Sequence, residues 1–82
     1  MVNAIREPIK VGVIFSSNSI KPVWFMWKSS RYTVKQVTFS WRSREGSAPI
    51  YHFAVTDGAN LFELSFHTKT AEWLLESIEC EG

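Results

Sequence analysis

Hydrophobic and polar residues alternate along most of this 82-residue chain, and the alternation predicts β-strands. The first alternating segment covers residues 9–16. Its apolar side is formed by Ile9, Val11, Val13 and Phe15. Because successive side chains of a strand point to opposite faces, this pattern indicates one buried and one open side. Residues 1–8 lack the pattern and end at Pro8, so we expect a flexible lead-in at 1–8 before a single β domain over residues 9–80.

Residues 23–35 predict a β-hairpin with Ser29-Ser30 as its two-residue turn. The opposed pairs in this register are Trp27 with Tyr32, Phe25 with Val34, Trp24 with Lys35 and Met26 with Thr33. After Lys35 the apolar positions change parity, which indicates a β-bulge within one long strand that continues to Trp41. The side chains predicted to form the core here are Val23, Phe25, Trp27, Tyr32, Val34, Phe39 and Trp41.

A second hairpin is predicted over residues 51–66, with Gly58-Ala59 as the turn. Its opposed pairs are Val55 with Phe62, Phe53 with Leu64 and Tyr51 with Phe66. All three pairs are apolar, and Gly in the first turn position suits a type II′ turn. The tail over about residues 70–80 is compatible with a helix capped by Thr70. It is equally compatible with a strand that brings Trp73 beside Phe66 and Leu75 beside Leu64.

Together these segments predict an all-β fold. We expect a six-stranded, mostly antiparallel meander, curled into a small barrel or a strongly bent sheet. The alternative is an α+β fold with a C-terminal helix at about 70–80. A chain of this length forms one domain whose small core must be dense in large side chains, and six Phe, four Trp and two Tyr supply them.

Charge divides the chain into a basic and an acidic half. Residues 1–44 carry a net charge of +7 and residues 45–82 a net charge of −6. The basic half is a candidate footprint for phosphates, and the alternative is that the two halves lie side by side and pair locally. Cys80 is the single cysteine, so an internal disulfide is excluded. With no apolar run of bilayer length, these features predict a cytoplasmic protein that does not enter the membrane.

No set of residues in the sequence predicts catalysis. Cys80 lies between Glu79 and Glu81, whose carboxylates disfavour the thiolate that a nucleophile requires. His52 and His67 are fifteen residues apart, face the solvent side of their predicted strands and lack neighbouring ligands at metal-binding spacing. We therefore expect a chain that is not an enzyme, with no cofactor, no metal and no small-molecule substrate.

One face of the first predicted hairpin combines aromatic, thioether and basic side chains. This candidate binding face consists of Trp24, Met26, Lys28, Arg31, Lys35 and Arg42. Such a face can bind a protein partner or a second copy of the chain, since Trp, Met and Arg are enriched at interfaces. It can also stack a base of single-stranded nucleic acid and hold the adjacent phosphates. A purely structural alternative is that other strands cover Trp24 and Met26.

A spaced pattern of mostly apolar residues extends over most of the chain. It consists of Ile20-Lys21-Pro22-Val23, Phe25, Trp27, Tyr32, Val34, Val37, Trp41, Tyr51, His52, Phe53, Val55, Asp57-Gly58, Leu61, Phe62, Leu64, Trp73, Leu75 and Glu76. This pattern resembles a small bacterial domain family of unknown function. It is similar also to the C-terminal segment of catalytically inactive relatives of Y-family translesion DNA polymerases.

The resemblance implies a bacterial source, a strand around Trp73, no enzymatic activity and an association with DNA-repair proteins. The chain departs from the family at Ser29, where relatives tend to have Gly. It departs again at Trp24 and Met26, where smaller or polar residues are usual. The sequence thus predicts a non-catalytic interaction module that binds a protein or itself, with nucleic-acid binding as the alternative.

Overall fold

The computed structural model describes residues 2–80, and these form seven β-strands. The strands are β1 (Val2–Ser16), β2 (Ser19–Trp27), β3 (Ser30–Thr33), β4 (Gln36–Glu45), β5 (Ala48–Thr56), β6 (Asn60–His67) and β7 (Glu72–Cys80). All belong to one sheet in the order β3-β2-β1-β7-β6-β5-β4, and each strand is antiparallel to its neighbours. Residues 2–80 contain no helix. The prediction of an antiparallel all-β fold is confirmed, whereas the sheet has seven strands rather than six and does not close.

The seventh strand arises because the predicted long strand over residues 31–41 is divided in two. The N–H of Val34 still donates to the carbonyl of Val23 on β2, at 3.0 Å. The next N–H, that of Lys35, donates to the carbonyl of Thr56 on β5, at 2.8 Å. The chain therefore crosses from one end of the sheet to the other, and the parity change seen in the sequence marks this crossing rather than a bulge.

Residues 2–8 form the first half of β1 rather than a lead-in, while Met1 lies outside the described residues. Val2 pairs with Glu79, and Pro8 pairs with Leu74. The register shifts between Ala4 and Glu7, around a left-handed Arg6 with φ of 53°. This bulge breaks the alternation of apolar residues, which is why the sequence pattern does not reveal the strand.

The turn between β2 and β3 is Lys28-Ser29, one residue earlier than predicted. Both residues have positive φ, 51° and 66°, as a type I′ turn requires. Phe25 consequently pairs with Tyr32 and Trp24 with Thr33. The predicted register is wrong by two residues along one strand, but a shift of two keeps every side chain on its predicted face.

The second hairpin and the tail follow the sequence closely. The pairs Val55 with Phe62, Phe53 with Leu64 and Tyr51 with Phe66 are confirmed. In the turn, Asp57 Oδ1 accepts hydrogen bonds from the N–H groups of Ala59 and Asn60, and Gly58 has φ of 100°. The tail is the strand β7, with Trp73 beside Phe66 and Leu75 beside Leu64. The alternative of a C-terminal helix is wrong.

The sheet is strongly bent and encloses its core on the concave side. The ring of Phe25 on β2 meets that of Phe62 on β6 edge-on, with centroids 4.9 Å apart. Two strands lie between β2 and β6, so a flat sheet would separate these residues by about 14 Å. The buried apolar side chains are Phe25, Phe53, Val55, Phe62, Leu64 and Leu75.

Phe39 and Trp41, which the sequence predicts to be core, are exposed. The register between β4 and β5 shifts between Val37 and Phe39, and this bulge turns the following residues over. Phe39 thus pairs with Ala54 and Trp41 with His52 on the convex side. The other predicted core residues are either buried (Phe25), packed against the core (Trp27, Tyr32 and Val34) or half-buried (Val23).

Candidate functional site

The structure brings together three of the six residues predicted to form a binding face. Trp24, Met26 and Arg31 lie on the convex side of β2 and β3, where Met26 pairs with Arg31. The Arg31 guanidinium lies over the Trp24 indole, with Cζ 4.7 Å from the ring centroid, in a cation–π contact. Met26 is 38% exposed. This part of the predicted face is therefore a real cluster.

The other three predicted residues lie elsewhere. Lys28 is in the turn, and its Nζ lies 5.0 Å from the ring centroid of Trp27. Lys35 extends towards the turn between β5 and β6, where its Nζ would be 2.9 Å from a Cβ built on Gly58. Arg42 lies on β4, at the far end of the sheet. The six residues do not share one surface.

Two lysines that the sequence reasoning omitted lie near the cluster. Lys10 pairs with Met26 across β1 and β2, and Lys21 pairs with Ile14 further along the same two strands. Alternation along β1 puts Lys10 and Ile14 on the same side of the sheet. We call Lys10, Lys21, Trp24, Met26 and Arg31 the tryptophan–arginine face.

A second surface lies on the convex side of β4, and the sequence did not reveal it. Phe39 is 65% exposed and Trp41 is 38% exposed. Their rings stack with centroids 5.6 Å apart, and Trp41 stacks in turn on His52 at 5.0 Å and an interplanar angle of 4°. We call Phe39 and Trp41 the aromatic patch. The signal that would have located it is the bulge in β4, which alternation alone does not identify.

A shallow hollow of about 180 Å³ adjoins the aromatic patch. It is lined by Val2, Trp41, Ala54, Leu61, Phe62, Glu63, Ser77 and Glu79, which come from five strands of the sheet. Its apolar lining includes Val2, which is itself exposed. Two carboxylates, Glu63 and Glu79, lie among the lining residues. The convex side thus carries an exposed ring, that of Phe39, near a hollow whose lining is apolar except for polar residues that include Glu63 and Glu79.

His52 lies in a row of polar groups that crosses three strands. Its Nε2 is 2.7 Å from the Ser43 hydroxyl, and its Nδ1 is 3.4 Å from Oε2 of Glu63. The order of hydroxyl, imidazole and carboxylate is that of a serine hydrolase triad. Nδ1, however, is buried without a hydrogen bond of good geometry to any described residue. The contacts hold the imidazole parallel to Trp41.

His67 belongs to a separate polar cluster. The buried Ser65 hydroxyl donates to Glu76 Oε2 at 2.6 Å and lies 3.0 Å from His67 Nε2. Arg6 Nε is 3.5 Å from the other oxygen of Glu76. The side chains of His52 and His67 are each 14% exposed, so the prediction that they face solvent is wrong. Among residues 2–80, no group of three or more His, Cys, Asp or Glu is arranged to hold a metal ion.

Comparisons with known proteins add no relative: no family model, no curated protein and no solved structure matches this chain. The described part of the chain has no helix long and apolar enough to cross a bilayer. The family resemblance drawn from the sequence stays a prediction. The surfaces that can carry a function are therefore the tryptophan–arginine face and the aromatic patch with its hollow.

Proposed function

We propose that this chain is a non-catalytic interaction module that binds a second copy of itself through the aromatic patch. The observation that carries the proposal is the exposure of Phe39 and Trp41 beside the apolar hollow. Large exposed aromatic groups next to a depression are typical of protein interfaces, where an aromatic anchor fills a pocket. On the basis of the resemblance and the single cysteine, we place the module in the bacterial cytoplasm.

A two-fold symmetric dimer would bury the aromatic patch of both copies in one interface. In a two-fold interface the same patch forms the contact on both copies. Phe39 of each copy then enters the hollow of the other copy.

Sedimentation equilibrium over a range of protein concentrations tests the proposal. We expect a mass that rises to twice that of the monomer, and a return to the monomer in Phe39→Ser. Phe15→Ser is the matched control, because Phe15 is 68% exposed but lies on another surface. It should leave the dimer unchanged. A wild-type chain that stays monomeric at every concentration, or a dimer that survives Phe39→Ser, overturns the proposal.

The second candidate function is binding of single-stranded nucleic acid by the tryptophan–arginine face. It is favoured by Lys10, Lys21 and Arg31, which lie on the same side of the sheet as Trp24 and give that face three positive charges and an aromatic ring. Fluorescence anisotropy with labelled single-stranded DNA tests it. Affinity should fall steeply as salt is raised, and Arg31→Ser should weaken it while Arg44→Ser does not. Absence of binding at the lowest salt excludes this candidate.

A further inference from the structure

A groove of about 550 Å³ lies where the bent sheet fails to close. The strand β3 pairs only with residues 24–27 of β2, so residues 19–22 of β2 form an open edge. The groove is lined by residues from this part of the chain and by Ser40, Trp41 and Arg42 of β4. Its volume falls within the range of pockets that bind small molecules, roughly 300–1,000 Å³.

The walls of the groove have an aromatic part, formed by Phe15, Trp41, Tyr51 and Phe53, and a polar part rich in serine. Phe53 is buried, Tyr51 and Ile20 are half-buried, and Phe15 is 68% exposed. The loop and strand ends over residues 16–19 add serine and asparagine side chains. An aromatic body fits the aromatic part of these walls, and the polar part can contact the polar groups of the same ligand.

The charged residues that line the groove indicate which polar group a ligand would carry. Its lining residues include Arg42 but neither Asp nor Glu. Arg42 makes no ion pair with any residue in the described range 2–80. A guanidinium with free donors at an aromatic pocket is suited to a carboxylate or sulfonate, which it binds with two parallel hydrogen bonds.

We propose that this groove binds a small amphipathic anion: an aromatic body against Phe15, Tyr51 and Phe53, with its acidic group on Arg42. The site shares Trp41 with the aromatic patch, but the two residues that its tests address, Phe15 and Arg42, lie outside that patch. Phe15 and the concave-side residues Ser40 and Arg42 line the groove, whereas Phe39 is not among its lining residues. A ligand in the groove would also complete the apolar cover at the open side of the sheet.

Anilinonaphthalene sulfonate, a fluorescent aromatic anion, is the probe for this site, and N-phenylnaphthylamine is its uncharged counterpart. We expect saturable one-to-one binding of the sulfonate by the wild-type chain, with enhanced fluorescence. Arg42→Gln should weaken that binding about tenfold, the effect of losing a charge-assisted bidentate contact. It should leave binding of the uncharged probe unchanged. Arg44→Gln is the matched control, since Arg44 lies on the same strand outside the lining of the groove.

Two further variants locate the bound probe. Phe15→Ser should weaken binding of both probes, while Phe39→Ser, at an equally exposed ring, should have no effect. Amide NMR spectra of each variant show whether the fold is retained. Absence of saturable binding, an Arg42→Gln variant equal to the wild type, or a larger effect of Phe39→Ser than of Phe15→Ser would each overturn the proposal. Loss of the dimer in Phe39→Ser with unchanged probe binding would leave both proposals standing.

Discussion

The indole of Trp24 lies directly against the backbone of Gly12 on the neighbouring strand. A Cβ built on Gly12 would come within 2.0 Å of Nε1 and 2.2 Å of Cε2 of the indole. The two residues are cross-strand partners between β1 and β2. Gly12 thus provides the space that lets a large ring lie flat on the sheet, with Arg31 over that ring.

The first prediction follows from this contact: Gly12→Ala should displace Trp24. The added methyl group overpacks the site and should lower the free energy of unfolding by about 1–3 kcal/mol. Urea unfolding measures the loss, and the indole N–H resonance of Trp24 reports the displacement. In a Trp24→Ala background the same change should cost much less. Equal losses of stability in the two backgrounds would mean that the contact with Trp24 is not the reason why a larger residue destabilises position 12.

The second prediction compares two phenylalanines that the sequence places in one core. Phe25→Ala should cost about 3–5 kcal/mol, because Phe25 is fully buried and joins β2 to β6 through Phe62. Phe39→Ala should change stability by less than about 0.5 kcal/mol, because its ring is exposed in the monomer. Thermal unfolding at a concentration that keeps the chain monomeric measures both.

If Phe25→Ala does not fold, Phe25→Leu provides the milder test of the same site. It should still destabilise the protein more than Phe39→Leu does. Similar losses at the two positions would contradict the assignment of Phe39 to the convex surface.

These two residues also show how far the sequence determines the fold. The pairing of Val55 with Phe62 was predictable because the apolar alternation on both strands is unbroken and Gly58 marks the turn. The position of Phe39 was not, because one extra residue in β4 reverses the face of everything that follows it. Alternation records parity along a strand but does not reveal where that strand contains a bulge.

The candidate sites were also predictable from the sequence only in part. The placement of Trp24, Met26 and Arg31 on one face was predictable, because alternation along the hairpin fixes the face of each residue. The contact of Trp24 with Arg31 was not, because it depends on the Lys28-Ser29 turn, which sets a register two residues from the predicted one. The groove was not, because Phe15 and Arg42 line one cavity only when the sheet bends and leaves an opening between β2 and β4. Contacts between residues far apart in the chain depend on that curvature, and no local pattern encodes it.

The third prediction concerns the turn between β2 and β3. Ser29 has φ of 66°, a conformation that costs a residue with a Cβ about 1–2 kcal/mol and that Gly adopts freely. Ser29→Gly should therefore stabilise the protein, by up to about 1 kcal/mol after the greater entropy of the unfolded chain is counted. Ser30→Gly, one residue later in β3, is the control and should destabilise it. A loss of stability in both variants would contradict the type I′ turn.

The fourth prediction is that Ser43 does not act as a nucleophile, although it contacts His52. A serine hydrolase requires a carboxylate that holds the imidazole in one tautomer by a hydrogen bond. Here Glu63 is 3.4 Å from Nδ1, without good hydrogen-bond geometry to it. Incubation with a fluorophosphonate, followed by mass spectrometry, should give no adduct at Ser43, while a known serine hydrolase in the same mixture is labelled. An adduct that disappears in His52→Ala but persists in His67→Ala would instead make Ser43 an activated nucleophile, and the chain would then have to be regarded as an enzyme.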